Sequence, residues 1–220
     1  MSVSQSQAAG AKEPDIAIYA RVMEEIKLRT VVVYSFLQGS SSAVYHITRI
    51  ESIYLQIRMI LELIALASLA ANKSLFEENR RKFHKHWNPA DILRDIEALN
   101  PGYYPKPVQE VACSEPGIKS ELMLLTSGYL TREELVSFHG KTGNILHARN
   151  PFRDEIDYTD YIDQIPLVMD KIRALLNSHQ VQLLGEQDFF YLVHMKEERD
   201  EHVHYYKFQR SERKSLDQSA

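Results

Sequence analysis

Apolar residues recur every third or fourth position through most of the chain up to about residue 180, the period of helices buried along one stripe. The first such segment spans 14–37 and carries Ile16, Tyr19, Val22, Met23 and Ile26. Pro14 suits a first helical turn, and Gly39-Ser-Ser-Ser42 closes the segment. The second has the clearest period, with Ile47, Ile50, Tyr54, Ile57, Leu61 and Ile64. From Met59 onward apolar residues surround it, which predicts a central helix buried on all sides and ending near Asn72. Asn88-Pro89 reads as an N-cap and first helical residue for a short helix through Leu99. Thr131 and Glu134 form a capping-box pair opening a helix to about His147, stopped by Asn150-Pro151. A last long helix is expected from Thr159 to His179, striped by Ile162, Ile165, Val168, Met169, Ile172, Leu175 and Leu176, with a mild kink near Pro166.

Two stretches break this period. Residues 100–118 hold Asn-Pro-Gly, Tyr-Pro-Lys-Pro and Glu-Pro-Gly, which predict a long irregular excursion. Residues 188–195 and 202–209 are rich in aromatic and β-branched residues around the charged turn 197–201, which predicts a β-hairpin packed on the helices. The expected fold is therefore mainly α, a bundle of four or five helices over 14–180 with a C-terminal hairpin over 181–210. The ends, 1–13 and 211–220, read as polar tails.

Composition narrows the class without naming a function. The chain has 220 residues, 44% hydrophobic and 25% charged, an ordinary globular balance. Its 26 basic and 30 acidic side chains give a net charge of −4, which argues against nonspecific coating of nucleic acid. One cysteine, Cys113, fits a reducing cytosol. No targeting signal is evident near Met1, and a cytoplasmic location is expected. The most apolar run, Met59 to Ala71, contains Glu62 and is shorter than the roughly 20 residues a membrane span needs, so no membrane contact is expected. Arg58 and Glu62, one helical turn apart within that segment, should pair.

Candidate chemistry gathers in Phe138-His-Gly-Lys-Thr-Gly-Asn-Ile-Leu-His-Ala-Arg-Asn-Pro-Phe152. Gly140 and Gly143 are costly inside a helix unless another backbone approaches there. His147 follows Gly143 and Asn144 by one turn, with Lys141 before it and Arg149 after it. An imidazole can take a 2′-hydroxyl proton while Lys141 or Arg149 steadies the phosphate charge. The structural alternative is that His147 and Arg149 cap the helix carbonyls. A second basic cluster, Arg80, Arg81, Lys82, Lys85 and His86, precedes Trp87 and reads as an RNA-contacting patch or a solvated helix face. His194, His202 and His204 on the hairpin would lie close together. An exposed polar face accounts for them at less cost than a zinc or copper site, so no metal or cofactor is expected.

The apolar helix IRMILELIALASLA, followed by a helix ending Leu-His-Ala-Arg-Asn-Pro-Phe, resembles an uncharacterised bacterial group within or near the HEPN helical proteins. The resemblance implies a helical bundle, usually dimeric, and a metal-independent endoribonuclease of bacterial defence or toxin–antitoxin systems with a composite site. The family's mark is an Arg followed four to six residues later by His. Here His147 matches the His and Lys141 stands where the Arg would be, while Arg81 and His86 keep the literal pattern earlier in the chain. Lysine lacks the planar two-pronged grip of arginine on phosphate. Lys141 in place of Arg favours the alternative, a noncatalytic interaction module in which the bundle and hairpin bind a protein partner; RNA, a second copy of the chain and an antitoxin are the other partners expected.

Overall fold

The computed structural model describes residues 15–71, 88–98, 100–112, 120–147, 152, 157–183, 186, 188–197 and 199–209. Five helices lie among them: α1 (Asp15–Leu37), α2 (His46–Ala70), α3 (Pro89–Glu97), α4 (Arg132–Leu146) and α5 (Tyr158–Leu176). They are joined by five strands: β1 (Lys106–Ala112), β2 (Ser120–Leu124), β3 (Ser178–Val181), β4 (Phe189–His194) and β5 (His204–Gln209). The polar tails, Cys113, Arg149 and the basic cluster from Arg80 to His86 fall outside the described residues.

The expectation of a helical bundle with one hairpin is wrong. The strands form a single curled antiparallel sheet in the order β2-β1-β3-β4-β5. The predicted hairpin is real, with His194 opposite His204 and Phe190 opposite Phe208, but it is the β4–β5 side of that sheet. The supposed excursion 100–118 contains β1, which pairs with β2 from Val108↔Leu124 to Ala112↔Ser120. Two causes hid these strands. Pro105 and Pro107 flank the start of β1 and imitate a loop, whereas Pro is tolerated at the beginning of a strand. No residue of β2 is fully buried, so it lacks the alternation that marks a half-buried strand. The last helix also stops short of its forecast end, and His179 begins a new period in β3.

Local chemistry explains the correct helix starts. The Asn88 side chain accepts from the Ala90 amide at 3.1 Å, with Pro89 beside it. Thr131 accepts from the Glu134 amide at 3.2 Å while Glu134 accepts from the Thr131 amide at 3.1 Å, closing the capping box. Glu134 is also bound by Lys171 of α5, which fixes α4 against that helix. That contact and the Thr131 amide hold the Glu134 carboxyl below its ordinary range.

α2 is the core helix, packing against α1, α3 and α4 through Ile53, Ile57, Ile60, Leu61 and Ile64. It is not buried on every side, because Leu55 and Leu66 are exposed and Arg58 and Glu62 are partly so. Its 25 residues are long and apolar enough to cross a membrane by length and composition, longer than the run first considered, and half of its most apolar window is buried within the fold. Tyr54 donates to the Tyr161 carbonyl at 2.8 Å and ties α2 to α5. The sheet closes the core from one side through Val181, Tyr191 and Val193, while Leu192 and Val108 are buried on its opposite face. His179 sits on the core face, fully buried. Its Nδ1–H donates to the Leu176 carbonyl at 2.8 Å and its Nε2 accepts from the Tyr19 hydroxyl at 2.8 Å.

Candidate functional site

The stripe that sequence spacing marked as catalytic lies along the outer side of α4. Lys141, Asn144 and His147 are all exposed, and His147 is the C-cap residue with extended backbone. The fold does not gather them into a site within one chain. The Lys141 ammonium leans toward α5, donating to Gln164 Oε1 at 3.4 Å and lying 5.2 Å over the Phe138 ring. The two glycines do not mark close backbone approach either. A Cβ at Gly140 would meet nothing within 4 Å, and one at Gly143 would meet only Arg58 Nη1, at 3.9 Å. Both positions are helical and have room, so Gly140→Ala should stabilise the protein by up to about 1 kcal/mol through helix propensity alone. A raised melting temperature checks this; a lowered one would reveal a packing role for the bare backbone.

What α4 does assemble is a partly buried ionic network that includes a histidine the spacing argument passed over. His139, not His147, faces the core, and its Nε2–H donates to Glu62 Oε1 at 3.0 Å. Glu62 also pairs with Arg58 Nε at 3.0 Å, confirming the expected contact one turn apart. Arg58 Nη1 donates to Thr142 Oγ1 at 3.2 Å, and the Thr142 hydroxyl donates to the His139 carbonyl at 2.7 Å. The histidine partner of Glu62 is thus His139, two turns before His147. A signal existed in the sequence, because His139 and Thr142 fall on the stripe of Leu135 and Ile145, where buried polar groups need partners. Every charge in this cluster is answered by another member, which suits locking α2 to α4.

The three hairpin histidines do not converge. His202 Nδ1 lies 3.5 Å from Glu24 Oε1, His204 Nε2 lies 2.8 Å from Asp200 Oδ1, and His194 Nε2 lies 3.4 Å from Glu110 Oε1. Among the described residues no group of three or more His, Cys, Asp or Glu side chains is placed to hold a metal ion. His194 has a second contact, Nδ1 to Ser178 Oγ at 2.9 Å, which makes a Ser–His–Glu chain on the outer sheet face. That chain has the connectivity of an activated nucleophile. Strand register alone accounts for it, since Ser178 and His194 are directly opposite in the β3–β4 pair.

The feature that sequence reading missed altogether is a cavity of about 250 Å³ between α1, α5 and the end of β4. Ile26, Val31 and Tyr34 form its α1 wall, and Met169, Ile172 and Leu176 face them from α5. Lys27, Arg173 and Lys196 also line it. Its walls come from α1, α5 and the end of β4, elements far apart in the chain, which no local pattern reveals. Leu28 and Val31 leave the adjoining side of α1 apolar and exposed. Compared with known proteins, the chain matches no family model, no curated protein and no solved structure.

Proposed function

We propose that the chain acts by binding and not by cleaving, as an interaction module whose working site is the cavity between α1 and α5. One observation carries this reading: apolar volume stands open beside exposed apolar residues, whereas the charged cluster around Glu62 is closed on itself. A concave, mostly apolar site with a few polar groups is the usual form of a ligand pocket. A hydrolytic site instead needs a base, a charge stabiliser and room for the reacting atom in one place. Lys141 and His147 do not supply that combination within one chain, and Lys141 is held by α5.

The second reading is the metal-independent endoribonuclease implied by the HEPN resemblance. It is favoured by the exposure of Lys141, Asn144 and His147, which leaves the stripe open to RNA or to a second copy that completes the site. Incubating the purified protein with total RNA in EDTA separates the two. The binding module leaves RNA intact, and His147→Ala and Lys141→Ala change nothing. Cleavage by the wild type that is lost in His147→Ala, with melting unaltered, would overturn the binding reading in favour of the nuclease, since a general base is worth typically 10²–10⁴-fold.

A further inference from the structure

From the apolar walls, the volume and the cations of the α1–α5 cavity, we propose that it binds a small amphipathic anion, a free carboxylate carrying an apolar tail of about seven carbons. The inference rests on the binding reading above and names its ligand class. A dry cavity of about 150 Å³ accommodates benzene, with its six heavy atoms, or about 25 Å³ for each. At that density about 250 Å³ holds roughly ten heavy atoms, the size of octanoate.

The charge follows from Lys27. Its side chain lines the cavity, yet its ammonium nitrogen is buried from solvent and makes no well-formed hydrogen bond. An ammonium has three donors, and withdrawing them from water is costly without acceptors. Its ionic partner, Glu24 Oε2, lies 3.4 Å away, and the other oxygen of that carboxylate is engaged elsewhere. Glu24 Oε1 accepts from the Val203 amide at 2.6 Å and lies 3.5 Å from His202. Lys27 therefore has unused donor capacity: its ammonium is shielded beside Glu24, while its flexible side chain lines the apolar space and can turn the ammonium toward it. Arg173 and Lys196 add cations, the first paired with Asp170 at 2.9 Å and the second only 4.0 Å from Glu201. Acidic side chains approach from outside, but none lines the cavity. A ligand carboxylate at Lys27 with its tail between Val31 and Ile172 would satisfy the ammonium and fill the apolar volume together.

Titration calorimetry of the full chain with sodium octanoate and with neutral 1-octanol tests this. Saturable octanoate binding is expected, weakened at least tenfold by Lys27→Met and weakened by added salt, while 1-octanol binds wild type and variant alike. The double variant Arg173→Gln, Lys196→Gln, at more exposed positions, should reduce octanoate affinity and spare 1-octanol, which guards against misfolding of Lys27→Met. If both probes bind equally, with no effect of Lys27→Met or salt, the anion inference is overturned and the apolar binding site stands. If neither binds, the cavity is closed in solution by the protein's own chain or by a second copy, and the inference and the binding reading fall together.

Discussion

Lowering the pH from about 6.5 to about 4 will destabilise this protein through one residue, His179. The imidazole is fully buried between Tyr19 and the Leu176 carbonyl, and burial pushes its pKa from 6.5 down to about 4, with the nearby His194 adding in the same direction. In the unfolded chain it titrates near its ordinary value. Between those two values the unfolded state takes up a proton that the folded state refuses, so stability is fully present above about 6.5 and falls as pH drops toward 4. Across the whole window the loss is on the order of 3 kcal/mol, a large share of the stability of an ordinary domain. Chemical denaturation at half-unit steps from pH 7 to pH 4.5 would show it. His179→Gln, which cannot titrate, should be less stable at neutral pH and show a flatter profile. Matching slopes in wild type and variant would mean that His179 is not the source. Loss of the carboxylates held below their ordinary range, such as Glu134 and Glu24, belongs to a lower pH window and does not imitate the effect.

Glu62→Ala will cost about 2–3 kcal/mol. The substitution removes the acceptor shared by Arg58 and His139, leaving a guanidinium and an imidazole N–H without their partner between α2 and α4. Breaking a fully buried ion pair costs roughly 3–5 kcal/mol. Arg58 and Glu62 retain 31% and 24% side-chain exposure, so water recovers part of the loss and the smaller figure applies. Glu62→Gln keeps an acceptor for His139 and should fall between wild type and Ala. A double-mutant cycle with His139→Leu would measure the coupling directly, since removing both partners leaves less unsatisfied than removing one. A Glu62→Ala melting temperature equal to wild type would show that the network contributes nothing to holding the helices.

The same network shows how far the candidate chemistry could be read in advance. The Arg58–Glu62 pairing follows from two charges one turn apart on an apolar helix, whose alternatives are costly. Its third member did not follow, because Glu62 and His139 are 77 positions apart and only the packing of α4 on α2 joins them. The Gly140–Gly143–His147 pattern misled for a related reason. Helical spacing gives which residues share a face but not which way that face points, and α4 turns Lys141, Asn144 and His147 to solvent while burying His139 and Thr142.

Local sequence determined every described helix to within a few residues and the β4–β5 hairpin, because caps, period and turn chemistry act over a handful of neighbours. It did not determine the sheet. β1 and β2 have weak strand patterns of their own, and β1 and β3 become neighbours across 71 intervening residues, from Pro107 to His179. Only the assembled fold decides that a Pro-flanked segment completes a sheet, that His139 and His179 are buried, and that α1 and α5 leave a cation-lined cavity between them. Those outcomes depend on contacts between elements far apart in the chain, where the gain from burial and pairing outweighs what each segment prefers alone.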